Sequence, residues 1–211
     1  MNHNTKIIAG LTLLCATQAS AGLILDTYDA DPDSLSFGPR VLSASLNSDP
    51  FNQGGSFGID TLFVSGADTG AVFFNSGIGA EQEASITYND NNNGLNYNAS
   101  SIQSFELDFL LVDLSFTANI TMSTFGGGEA SWDVVVPAGA NYTATWSIAD
   151  FVASGAFDIA DVDEIAVNFN VTDRLTASLD FVATEFRAVV PTPGSLMLMG
   201  MGGFIAARRS R

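Results

Sequence analysis

Apolar residues recur at every second position along most of this chain, rather than at every third or fourth. Ile165, Val167, Phe169 and Val171 alternate with Ala166, Asn168 and Asn170. Phe105, Leu107, Phe109 and Leu111 alternate against Glu106 and Asp108, and Trp132, Val134 and Val136 repeat the pattern until Pro137 stops it. A period of two puts one row of side chains in a core and the other in water, which defines a half-buried strand. Further strands are predicted over Leu23–Thr27, Val41–Asn47, Gly58–Val64, Ala71–Asn75, Ala84–Tyr88, Phe116–Thr124, Tyr142–Ile148 and Ala177–Val189. Turn residues separate them at Asn47–Pro50, Asn52–Gly55, Asn89–Gly94, Gly126–Gly128 and Pro137–Asn141. About eleven short strands at this spacing predict an all-β fold, a single antiparallel jelly-roll-like β-sandwich over residues 22–189.

The two ends depart from this rhythm. Lys6 precedes an apolar run from Ile7 to Ala16, and Ala19 and Ala21 stand at the −3 and −1 positions of an A-x-A site. That order is the secretory signal pattern, so residues 1–21 are expected to be a signal peptide cleaved after Ala21. Cys15 lies inside the apolar run behind Leu14, where a lipidation site would want a small residue. At the other end, Pro191 and Pro193 break the chain, Leu196 to Ala207 is apolar, and Arg208, Arg209 and Arg211 follow. As a helix the apolar stretch would reach only about 18 Å against a hydrocarbon core of roughly 30 Å. Arginines just beyond it mark a cytoplasmic-side stop, so a short C-terminal transmembrane helix is expected.

Residues 190–211, with Val190-Pro191-Thr192-Pro193, the short apolar segment and the terminal Arg208 and Arg209, resemble the PEP-CTERM sorting signal of bacterial exosortase substrates. Thr192 stands where that family usually has glutamate, giving a Val-Pro-Thr-Pro variant. The resemblance implies an exported protein, held transiently in the inner membrane by its tail and processed by an exosortase-type enzyme; the primary reading is that it is non-enzymatic. It also implies delivery to the cell surface or an exopolysaccharide matrix. More loosely, the run through Trp132–Val136, Trp146–Phe151, Asp161–Ile165 and Ser178–Val182 resembles carbohydrate-binding jelly rolls. The alternative this raises is a carbohydrate-binding module seated in secreted polysaccharide.

Composition narrows the chemistry. Between Gly22 and Val190 the basic residues are Arg40, Arg174 and Arg187, and all 23 acidic residues fall in the same span, for a formal charge of about −20. Such a surface repels phosphate backbones, which excludes nucleic acid as a partner. His3, Cys15 and Lys6, each the only residue of its type, would all leave with the signal peptide. Nucleophilic schemes that rely on histidine as base, and zinc or copper sites built on His or Cys, then have no residues to use. Disulfides are excluded as well.

Only carboxylate chemistry remains. Glu106-Leu107-Asp108 resembles the E-x-D-x-x-E strand of jelly-roll β-glucanases, but Leu111 occupies the place of the second glutamate. A retaining glycosidase needs two carboxyls about 5 Å apart, so a solvated strand face is the preferred reading and the glycosidase a third alternative. Asn89 to Gly94 looks like a calcium loop but has Ser100 where the bidentate glutamate belongs; an exposed turn accounts for it. Asp29, Asp31 and Asp33 form another oxygen-rich cluster, and a structural calcium between Asp26 and Asp180 would suit a jelly roll that ties first strand to last. No other cofactor is expected. Trp132, Trp146, Tyr97 and Tyr142 are candidates for stacking on sugar rings, with core packing as the plainer role. Asn98, Asn119, Asn141 and Asn170 sit in N-x-S/T sequences.

Mass spectrometry of the protein recovered from surface and medium fractions tests the reading of both ends. The mature chain is expected to begin at Gly22 and to lack Arg208–Arg211 once outside the cell; an intact arginine terminus on extracellular material would contradict the processing.

Overall fold

Strict alternation along the chain becomes strict alternation of burial in a computed structural model, which describes residues 20–29, 39–64, 67–90, 92–171 and 175–191. Strands β5 (Glu81–Tyr88), β7 (Phe116–Thr124) and β11 (Glu164–Phe169) bury every second side chain without exception. The remaining strands are β1 (Ser20–Asp26), β2 (Arg40–Ser48), β3 (Gly55–Val64), β4 (Ala67–Ser76), β6 (Ser104–Val112), β8 (Gly128–Val136), β9 (Gly139–Ser147), β10 (Val152–Ser154) and β12 (Asp180–Pro191). One 3-10 turn, Ile148–Asp150, interrupts them. Among the described residues no helix is long and apolar enough to cross a membrane. Residues 1–19 of the expected signal peptide and the C-terminal segment from Thr192 lie outside the described residues, while Ser20 and Ala21 belong to β1.

The strands form two antiparallel sheets. The front sheet runs β3-β4-β12-β6-β9, with β1 also pairing with β12; the back sheet runs β10-β8-β7-β11-β5-β2. Each strand predicted from sequence is present, and the sandwich is the jelly-roll-like fold expected. β10 was not foreseen, because three exposed residues carry no periodicity. β12 is longer than expected at its C-terminal end. Val190 and Pro191, assigned from sequence to the sorting signal, pair with Ala21 and Ser20 of β1. The first and last described strands therefore leave the sandwich side by side.

Aromatic side chains join the sheets. Phe181 of β12 stacks on Phe74 at 4.9 Å within the front sheet and on Phe116 of the back sheet at 5.1 Å. Phe109 meets it edge-on at 5.5 Å and Phe169 lies 5.0 Å away. A second stack, Tyr88–Phe186–Phe105, crosses the sheets nearer the chain ends at 5.8 and 5.7 Å. Such ring pairs contribute about 0.5–1.5 kcal/mol each beyond the area they bury. They fill the space that a disulfide would otherwise have to brace.

Candidate functional site

β6 and β12 lie next to each other at the centre of the front sheet, and both depart from regular pairing at the same place. Val182 faces Leu111 and Glu185 faces Asp108, but between them Leu110 and Thr184 are extra residues around the Ala183–Phe109 pair. Bulges of this kind bend strands and re-aim side chains. Here they open a groove of about 300 Å³ on the outer face, lined by Asp108, Phe109, Leu110, Asn141, Tyr142, Thr143 and Thr184.

One row of side chains beside the groove is apolar. Phe73, Val182 and Leu111 are direct cross-strand neighbours on β4, β12 and β6, so their side chains share the outer face. Leu111 is 51% exposed. Gly58 pairs with Phe73 from β3, and a Cβ placed on it would meet nothing within 4 Å, which leaves the space beside Phe73 open.

On the groove's other side the face is charged. Arg187 Nε donates to Glu106 Oε2 at 2.8 Å, Nη1 donates to Glu185 Oε1 at 3.0 Å, and Nη2 donates to Asp108 Oδ1 at 3.2 Å. Nη1 also donates to Asp108 Oδ2, and Thr143 Oγ1 donates to Asp108 Oδ1 at 2.6 Å. Partial burial alone would raise the Asp108 carboxyl, but the hydrogen bonds from Arg187 and Thr143, with the guanidinium charge, hold it below the usual carboxylate range. The Arg187 guanidinium is pushed up in turn, chiefly by its bonds to Asp108. A general acid for glycoside cleavage needs a raised carboxyl; Asp108 is shifted the opposite way.

The outer face of the back sheet is different. Asp133, Asn119, Asn168, Ser85 and Ser43 form a continuous cross-strand row. Three of its members bond to one another: Asn119 donates to Asp133 at 2.6 Å, and Asn168 donates to Asn119 at 3.2 Å. The depression there is about 140 Å³ and is lined mainly by short side chains.

The structure does not bring Asp26 and Asp180 together. Asp26 pairs with Phe186, six residues along β12 from Asp180 and hence about 20 Å away. The expected calcium site therefore does not form between them. Asp26 is 1% exposed and its oxygens are engaged. Arg40 Nη1 and the Tyr28 backbone N–H both donate to Oδ1 at 2.7 Å, and the Tyr88 hydroxyl donates to Oδ2 at 2.9 Å. Burial pushes the Asp26 carboxyl up, opposed by the Tyr28 N–H, the Arg40 charge and Tyr88. Tyr28 and Asp29 then cross directly over Gly70, where a Cβ would lie 2.0 Å from the Tyr28 carbonyl; only glycine permits that approach. Asp180 is exposed, with its carboxyl raised first by desolvation and then by Asp113.

The other sequence candidates separate clearly. Trp146 is fully buried, and its indole N–H has no partner among the described residues, so it is a core residue. Trp132 is 38% exposed on β8, opposite Ile120 of β7, and Tyr97 bridges to Val162. Tyr142 lies at the groove. Asn89 builds a turn, donating to Glu164 at 3.0 Å and accepting the Asn92 N–H at 3.2 Å. Asp29 accepts from Thr27 and Gly70, while Asp31 and Asp33 lie outside the described residues. Asn170 is 2% exposed and bonded to the Gln82 and Thr176 carbonyls, which gives it a structural role. Thr192, Pro193, Arg208 and Arg209 also lie outside the described residues. Phe73, Val182 and Thr184 were missed from sequence, since only the register assembles them.

No protein-family model matches the chain, and no curated protein does. Solved structures do match it in fold. A family 11 carbohydrate-binding module from Clostridium thermocellum, in complex with a β-1,3-1,4-mixed-linked tetrasaccharide, aligns with a TM-score of 0.50 at 10% identity, covering 82% of this chain and 96% of the module. The family 11 module of a cellulosomal cellulase of the same organism aligns at 0.52 with 12% identity, covering 82% and 96%. A solution structure of a family 11 module aligns at 0.53 with 9% identity, covering 85% and 99%. At these identities the likeness establishes the jelly-roll sandwich.

The buried pair yields a pH-dependent prediction. The folded protein holds the Asp26 proton more tightly than the unfolded chain does, so ionising Asp26 weakens the fold as pH rises above about 3.9. Arg40 limits that loss. Arg40→Met should cost about 3–5 kcal/mol at pH 7, as when one partner of a buried pair is removed. The cost should be clearly smaller near pH 4, where Asp26 can take up a proton. Urea denaturation of both proteins at the two pH values checks this, and equal losses would contradict it.

Proposed function

We propose that this chain is an exported, non-enzymatic protein of the bacterial surface or secreted matrix, whose sandwich binds carbohydrate on the outer face of its front sheet. The groove beside the Phe73–Val182–Leu111 row carries the reading. Sugar rings present apolar C–H faces and a fringe of hydroxyls. A site for them needs an exposed apolar surface beside fixed polar groups, the general composition of a small-ligand site. The exposed Leu111 with the half-buried Phe73 and Val182 supplies the first, and Asp108, Asn141, Thr143 and Thr184 the second. On the back sheet, Asp133, Asn119 and Asn168 already bond to one another and the depression is smaller.

The fold likeness to family 11 carbohydrate-binding modules, one of them solved with a mixed-linked tetrasaccharide, supports this assignment. Export and sorting rest on the sequence at the two ends. The side-by-side exit of β1 and β12 is consistent with a domain carried on a C-terminal tether. An exosortase-type enzyme would be the processing partner and the inner membrane the transient anchor. The non-enzymatic reading rests on Leu111 in place of a second glutamate and on a lowered Asp108 paired with arginine.

Affinity electrophoresis and calorimetry against a panel of soluble polysaccharides test the assignment. Binding to at least one is expected, and Phe73→Ala should weaken it by about tenfold, as loss of a central aromatic contact does. No binding across the panel would contradict the reading, and so would release of reducing sugar from any member.

A further inference from the structure

The charged half of the front face suggests which glycans the groove takes. This inference rests on the carbohydrate-binding reading above. We infer that Arg187 holds Asp108 as a fixed hydroxyl acceptor at the groove, and that the groove is thereby selective for neutral glycans over acidic ones.

Among the described residues, Asp108 is the only carboxylate lining the groove. An ionised carboxylate can accept about four hydrogen bonds. Asp108 accepts two from Arg187 and one from Thr143, while a third of its side chain stays exposed. That leaves acceptor capacity toward the groove, at an oxygen whose orientation is set from both neighbouring strands. Sugar hydroxyls are donors that fit it.

An acidic sugar finds no counter-charge. Three carboxylates, Glu106, Asp108 and Glu185, surround one guanidinium, which is used up by them. The charged groups around Asp108 come from β6 and β12, while β9 contributes the neutral Thr143 and Thr145. Among the described residues the only other cation is Arg40, buried against Asp26. A uronate or sulfate entering the groove would face a net negative surface with no cation among the described residues free to pair with it, and like-charge juxtaposition is a strong source of discrimination.

Arg187 is a positioning residue in this scheme, so its test needs a readout that a purely structural role would not move. Affinity should be measured from pH 7 to pH 4 for neutral probes (mixed-linked β-glucan, galactomannan, agarose oligosaccharides) and acidic probes (alginate, polygalacturonate). The full chain and its Arg187→Gln, Arg187→Lys, Asp108→Asn and Thr143→Val variants are compared, with melting curves to confirm folding. The unaltered protein should bind at least one neutral probe, at least about tenfold more tightly than either acidic one. It should keep that affinity down to pH 4.5. Asp108→Asn should lose about tenfold. Arg187→Gln should lose affinity increasingly as pH falls, because Asp108 without its guanidinium protonates more readily among Glu106 and Glu185; Arg187→Lys should restore part of it. Should Arg187→Gln fail to fold, Thr143→Val removes one bond to Asp108 and should show a weaker form of the same pH dependence.

Alginate bound as tightly as the neutral probes would overturn the inference and leave carbohydrate binding standing. Wild-type affinity and pH profile in Arg187→Gln would do the same. Absence of binding to any glycan would overturn both.

Discussion

Packing around Phe181 is the interaction on which the rest of this structure depends. With Cys15 as its one cysteine, the chain can form no disulfide between its sheets, so apolar contact must hold them. Phe181 touches Phe74 and Phe109 of its own sheet and Phe116 and Phe169 of the other. It sits on β12, which pairs with β1, β4 and β6. The alternation that sends Phe181, Ala183, Phe186 and Ala188 inward also sends Val182, Glu185 and Arg187 outward. Core and candidate site are thus two faces of one strand.

The bulges at Leu110 and Thr184 fall between those inward and outward duties. They leave the Phe181 cluster intact while breaking the flatness of the outer face, and the groove is the result. The buried Asp26–Arg40 pair acts close by, since Asp26 faces Phe186, two residues along β12 from Thr184. It fastens β1 of the front sheet to β2 of the back sheet, helped by Tyr88 of β5. A carboxylate so engaged is poorly suited to bind a cation, although its sequence neighbourhood is rich in acid.

Much of the fold was legible in the sequence because its signal is local. Alternation over β5, β7 and β11 needs no partner to be recognised, and the turns between strands are marked by Asn, Gly and Pro. The candidate site was far less legible. Phe73, Val182 and Leu111 are scattered over more than a hundred positions and meet only through register. A bulge has no residue signature at Leu110 or Thr184. Glu106 and Asp108 were noticed, but their meaning depends on Arg187, which no spacing rule connects to them. Asp26 misled for a related reason: acidic residues read as exposed until a long-range partner is known, and Arg40 lies in a different sheet. Trp146 and Trp132 look alike in sequence, yet pairing with Phe105 puts the first in the core while the second stays partly exposed on β8.

The central claim is that the outer face of the front sheet is where this protein meets carbohydrate. An amide-resolved NMR titration of the folded protein with a soluble neutral oligosaccharide tests it most directly. Shift changes should concentrate at Asp108, Leu111, Asn141, Thr143, Val182 and Thr184, with the back-sheet row of Asn119, Asn168 and Ser85 unmoved. Changes confined to that back-sheet row, or none at saturating sugar, would contradict the account.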